Sequence, residues 1–187
     1  MSSSLPWLLA LAFCFCAGSA TPAFAVCDET TSFLDRACKH LTDTWTEGTP
    51  DLYVPFHTYH SRKAYTAAAI NAYREDTWGI GYGHSHHDGK DNWDGLYVMA
   101  FLDSHSKPEY VAGYAHQVLW GDRQSFHVGL GYTAFLTART DLWHYTPVPG
   151  ILPIASINYN TTAVNILAIP GGKGNGNILF LWTRIGF

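Results

Sequence analysis

The chain has 187 residues and a formal net charge of −4, and 14 % of its residues are charged, against roughly 25 % in ordinary soluble domains. That length makes one domain, and the acidic balance excludes the basic surface that nucleic-acid binding needs. The 7 Trp, 11 Tyr and 10 Phe sit in a chain of near-zero mean hydropathy, with no apolar run of about 20 residues after position 25 to make a spanning helix. This combination points to a β-barrel, and composition alone leaves the membrane and soluble versions open.

The chain begins with a short apolar run over residues 7–16, of signal-peptide rather than spanning length. Ala23-Phe24-Ala25 is a small-x-small cleavage site, so residues 1–25 are expected to be a signal peptide and 26–187 a single domain. Export leaves Cys27 and Cys38 in an oxidising compartment, where a structural disulfide is open to them if Cys27 folds back. Residues 29–45 carry a helical stripe of Phe33, Leu34, Ala37, Cys38, Leu41 and Trp45, predicting an amphipathic helix at a membrane interface.

Eight strand candidates follow, over 51–65, 77–86, 92–104, 108–120, 124–139, 151–159, 161–169 and 177–187. Tight turns near Asp88-Gly89, Gly121-Asp122 and Asn160 alternate with longer connections, as in outer-membrane barrels. In the fifth segment Val128, Leu130, Tyr132, Ala134, Leu136 and Ala138 alternate with His127, Gly129, Gly131, Thr133, Thr137 and Arg139, giving a lipid face and a lumen face. The third, NWDGLYVMAFLDS, is apolar on both faces and ends on Asp103-Ser104. In the last, Leu179, Leu181, Ile185 and Phe187 share the outward face, and Ile178, Phe180 and Trp182 make the lumen apolar. A passive channel needs a polar lumen, so an apolar ligand inside is expected. The fold class is all-β: an eight-stranded antiparallel transmembrane barrel over about 51–187, preceded by the helix.

With the helix and both termini on the periplasmic side, the first and third strands end together at the outer rim. That brings His60, Asp103 and Ser104 to one place. An imidazole can take a proton from an attacking hydroxyl while an acid orients it, which is the chemistry of acyl transfer. Spacing alone makes this a weak signal in a chain with 10 His. His84, His86 and His87 fall on a polar rim at the other end, and the Gly-rich run 171–176 reads as a flexible loop without a phosphate-binding pattern. No metal site is expected.

The ordered blocks DLYVP (51–55), the run ending in Tyr59-His60, NWDGLYVMAFLDS, VAGYA (111–115), HVGLGYTAFLTAR (127–139), LPIAS (152–156) and the closing strand resemble the PagP family, the lipid A palmitoyltransferases of Gram-negative outer membranes. The resemblance covers the chain from about Trp45 to Phe187. It implies transfer of a palmitoyl chain from the sn-1 position of a phospholipid donor to a hydroxyl on an acyl chain of a lipid A acceptor. This takes place in the outer membrane, by a monomer without cofactor. The family's essential residues match His60, Asp103 and Ser104. Tyr97, Met99, Gly113 and Ala115 are the expected acyl pocket, with Ala115 helping to set its floor. Pro55, Pro153 and Pro170 match the prolines beside lateral openings, while a fourth family proline is replaced by Thr77. The rival reading is a non-enzymatic small barrel that binds an apolar ligand or aids adhesion.

Overall fold

The computed structural model describes residues 33–88, 90, 92–122 and 125–187. The expected signal segment, Cys27 and the first residues of the expected helix lie outside the described residues. Cys38 is disulfide-bonded.

Eight antiparallel strands close into a barrel, each paired with its sequence neighbours and the last with the first. They are β1 (Thr49–His60), β2 (Gly79–His87), β3 (Asn92–Leu102), β4 (Pro108–Gly121), β5 (Phe126–Arg139), β6 (Val148–Tyr159), β7 (Thr162–Ile169) and β8 (Ile178–Gly186). The period of two assigns the faces as read: Val128, Leu130, Tyr132 and Leu136 are exposed, while His127 and Thr133 are buried. Closure removes the free sheet edges, which is what lets strands cross a bilayer. Tight turns use left-handed backbone at Asn160 (φ 52) and Gly121 (φ 117).

The helix α1 (Phe33–Thr46) packs outside the barrel against β2 and β3. Its polar side meets the wall. His40 Nδ1 lies 3.0 Å from Asp94 Oδ2, and Asp94 also accepts from the Tyr114 hydroxyl and faces His116 Nδ1 at 2.7 Å. Trp45 stacks on His84 with ring centroids 5.0 Å apart, so His84 is part of the helix seat. Leu41 and Trp45 stay 40 % and 49 % exposed, which suits a helix lying at a bilayer interface. Just past the helix, Gly48 passes between the helix and the wall: a Cβ there would clash with the Thr44 carbonyl oxygen of α1 and stand 3.0 Å from the Ser85 carbonyl oxygen of β2.

The lumen is divided. Its helix-side half is plugged by polar side chains: Arg184 bonds Asp51 Oδ1 (3.3 Å) and Ser85 Oγ (3.2 Å) and covers the Trp93 ring, and Gln117, Ser156, Asn158 and Asn165 form a second network. The other half is apolar, with Met99, Phe101, Leu167, Phe180 and Trp182 buried together.

Two expectations change. β1 ends at His60, not at 65, and residues 61–78 form a folded loop containing a second helix, α2 (Ala67–Ala72). The Ala-rich sequence favours that helix, and the Thr66 side chain caps it by accepting from the Ala69 amide. The Gly-rich run is ordered as part of the same rim: Gly174 N–H donates to Ala64 O (2.8 Å), and the Tyr65 hydroxyl to Gly176 O (2.7 Å).

Candidate active site

The rim opposite α1 gathers the ends of β1 and β3 with the 61–78 loop. His60, the last residue of β1, is buried at 2 % exposure. Its ring stacks on Tyr73 (4.7 Å) and meets the edge of Tyr65 (5.3 Å). The two ring nitrogens have different partners. Nε2 faces Ser104 Oγ at 3.2 Å, and Nδ1 faces Glu75 Oε1 at 3.2 Å. Neutral imidazole therefore donates from Nδ1 to the carboxylate and accepts the Ser104 proton at Nε2. Ser104 is positioned from behind, because its carbonyl accepts from the Arg74 amide (2.8 Å).

Of the three residues expected from the sequence, the structure joins two. Asp103 is buried beside them, but its Oδ1 accepts from the His105 and Lys107 amides, both at 2.8 Å. Its Oδ2 makes no hydrogen bond and faces the Arg139 guanidinium at 3.6 Å. Asp103 thus shapes the turn that presents Ser104, while the acid on His60 is Glu75. Sequence reasoning missed Glu75 and Arg62 because it carried the first strand through to residue 65, leaving no folded loop to bring them back. Arg62 grips both oxygens of Glu75, at 2.7 and 2.6 Å, and holds its carboxyl down to about 2.

Beneath the pair opens a cavity of about 300 Å³ running into the apolar half of the lumen. His60, Asp103 and Ser104 line its mouth, and Tyr97, Met99, Phe135 and Trp182 line its depth. Gly113 and Ala115 are not among the lining residues. Tyr97 crosses over them, its hydroxyl 2.6 Å from Thr133 Oγ1, so the floor is an aromatic ring and not the small residues expected to set it. Ala115, 1 % exposed, lies two residues deeper along β4.

The wall has two breaks in strand pairing. β1 pairs with β2 only over Thr49–Tyr53, so the ladder stops before Pro55, and beyond it the Thr58 amide donates to the Glu75 carbonyl (2.8 Å) and the His60 amide to the Glu75 carboxylate (3.0 Å) instead of to β2. β6 pairs with β7 only over Ile154–Tyr159, so the break begins at Pro153. Proline lacks the amide a ladder needs, which explains both positions. Pro170 sits just past the end of β7. The first break persists with Thr77 in place of a proline: its hydroxyl meets that of Thr58 at 2.9 Å, a side-chain tie across the gap where ladder bonds are missing. Among the described residues no group of three or more His, Cys, Asp or Glu could hold a metal ion.

Comparison with known proteins shows the family. Residues 40–184 match the family model described as antimicrobial peptide resistance and lipid A acylation protein PagP. The chain is 50 % identical over 165 residues to the lipid A acyltransferase PagP of Methylobacillus flagellatus, covering 88 % of this chain and 90 % of that one. It is 43 % identical over 164 residues to the protein of the same description from Bordetella parapertussis, covering 87 % and 90 %. Among solved structures, it is similar to neisserial surface protein A, at 10 % identity, a TM-score of 0.39 and coverage of 74 % and 96 %, and to Yersinia pestis Ail, at 6 %, 0.41 and 75 % and 99 %. The family model spans the barrel almost entirely, and the relatives extend over most of their own length, so the chain belongs to the PagP family.

Proposed function

We propose that this protein is an outer-membrane acyltransferase that moves a palmitoyl or similar-length chain from the sn-1 position of a glycerophospholipid to a hydroxyl of lipid A. The observation that carries the reading is the His60–Ser104 pair at the mouth of an apolar cavity inside a membrane-type barrel. A fatty acyl chain fills such a cavity by the hydrophobic effect, at about 0.8 kcal/mol per buried methylene, and its ester then lies at the polar mouth. The two breaks in strand pairing, beside Pro55 and Pro153, give lipids a lateral way in from the bilayer.

In the reaction, the acceptor hydroxyl oxygen attacks the ester carbonyl carbon while His60 Nε2 takes its proton. The ester C–O bond then breaks, and the imidazolium returns the proton to the departing glycerol oxygen. The products are a lysophospholipid and lipid A carrying one more acyl chain; nothing is oxidised or reduced, and the step uses no cofactor. Asp103 holds the turn that presents Ser104. One chain supplies every residue named, so a monomer suffices.

The test uses the full protein refolded in detergent with lipid A and a phospholipid carrying palmitate only at sn-1. The expected result is lipid A heavier by one palmitoyl group together with an equal amount of sn-1 lysophospholipid. Unchanged lipid A with bound phospholipid would establish the non-enzymatic barrel instead. A product built from the sn-2 chain would refute the donor position.

A further inference from the structure

The 61–78 loop carries one more functional residue. Resting on the acyltransferase reading above, we infer that Glu75 is the positioning residue for His60, fixing the tautomer and the orientation of the ring, with Arg62 as the anchor that keeps Glu75 in place.

Four observations converge on it. First, Glu75 Oε1 receives two donors from one residue, the His60 main-chain N–H at 3.0 Å and the ring Nδ1 at 3.2 Å. The same oxygen thus locks the end of β1 and the rotation of the imidazole. Second, the other ring nitrogen is on Ser104, so Ser104, His60, Glu75 and Arg62 form an unbroken chain of contacts at 3.2, 3.2 and 2.7 Å. Third, Asp103 is committed to two amides of its own turn and makes no bond to the ring. Fourth, Arg62 and Glu75 lie near the two ends of the loop, so their bidentate pair closes it over His60, with Tyr73 stacked on the ring.

The chemistry follows from the tautomer. A base at Nε2 needs its own proton on Nδ1, and a carboxylate at Nδ1 makes that form the stable one. When Nε2 takes the proton of the acceptor hydroxyl, the same carboxylate stabilises the imidazolium until the proton passes to the glycerol oxygen. Arg62 keeps Glu75 ionised, so Glu75 never competes as an acid. A purely structural loop closure would need the Arg62–Glu75 pair but not its contact with Nδ1.

The experiment compares the parent with Glu75→Gln and Glu75→Asp, all refolded in detergent and normalised to folded barrel, with kcat and KM measured from pH 5 to 9. In Glu75→Gln, kcat should fall about 100-fold or more at neutral pH with KM little changed, within the range that general base catalysis supplies. Its acid limb should move to lower pH, because the imidazolium has lost its anion. Glu75→Asp, which keeps the charge, should recover part of kcat. A folded Glu75→Gln protein with kcat within a few-fold of the parent overturns the inference, and so does a drop with the acid limb unmoved. If Glu75→Gln does not fold, Arg62→Gln carries the test. It removes the anchor and frees Glu75 from Nδ1, so kcat should fall and the acid limb should move to lower pH, and a limb that stays or rises overturns the inference. An inactive parent refutes the acyltransferase reading itself, which separates that failure from this one.

Discussion

The aromatic floor of the cavity makes Gly113→Ala an informative perturbation. Gly113 lies opposite Tyr97 in the β3–β4 ladder. A Cβ added there would stand 2.6 Å from Tyr97 Oη, 2.7 Å from its Cζ and 2.9 Å from Phe135 Cβ. Comfortable contacts begin at about 3.5 Å, so the ring must retreat by roughly 1 Å. Tyr53 packs 5.5 Å from the Tyr97 ring, and Phe135 blocks the strand side, which leaves the cavity as the open direction. The retreat ends the 2.6 Å bond to Thr133, which still donates to the Tyr114 carbonyl. The lost bond costs about 1 kcal/mol and the overpacking about 1–3 kcal/mol, so the variant should fold with reduced stability. Its cavity should be shorter by about one methylene. Misfit of one methylene is worth roughly 1–3 kcal/mol, or about 10–200-fold in preference. The assay is acyl transfer from a series of phospholipids whose sn-1 chains differ by one carbon, read by the mass gain of lipid A. The optimum should move about one carbon shorter, while Tyr97→Phe, which removes the floor hydroxyl, moves it the other way. An identical profile in folded Gly113→Ala, or a longer optimum, would refute Tyr97 as the floor.

The other predictions concern the site, the helix and pH. His60→Ala and Ser104→Ala should each fold and lose most transfer activity; near-parental turnover in both would place the chemistry elsewhere. His60→Ala should also be the less stable of the two, because His60 is 2 % exposed between Tyr73 and Tyr65 whereas Ser104 lies in the surface turn. Removing the chain through Thr46 strips His40 from Asp94 and Trp45 from His84, so unfolding in denaturant should accelerate while transfer by folded protein remains measurable. Complete inactivity of folded, helix-deleted barrel would give α1 a catalytic part. Arg62 holds Glu75 down to about 2, below its unfolded range near 4.5. The contribution of this pair is therefore fully present above that range and fades as pH falls through about 2. Protease protection of the 61–78 loop should stay level from pH 7 to about 4 and decline below; a sharp loss centred above pH 5 would contradict the pairing.

Much of the fold was written locally. Alternation in the 127–139 segment assigned lipid and lumen faces because side chains on a strand point to opposite sides every second residue, whatever the strand pairs with. Turn residues at Asp88, Gly121 and Asn160 divided the chain into strands for the same local reason. Strand parity then carried His60 and Ser104 to one rim before any contact was known. What the sequence did not determine lies in contacts between residues far apart in the chain. Local alternation carried the first strand to residue 65; the loop instead folds back at His60, held by Arg62 on Glu75 and by Tyr65 on Gly176. The acid on the imidazole therefore changes from the neighbour of Ser104 to a residue 15 positions past His60. The cavity floor likewise depends on how far the Tyr97 ring reaches across to Thr133, 36 residues away. The polar plug also depends on barrel closure, which alone sets which strands stand face to face, and the Asp94 seat depends on α1 docking back onto β3 and β4. Periodicity fixes the side a residue points to; only the closed tertiary structure fixes what it meets there.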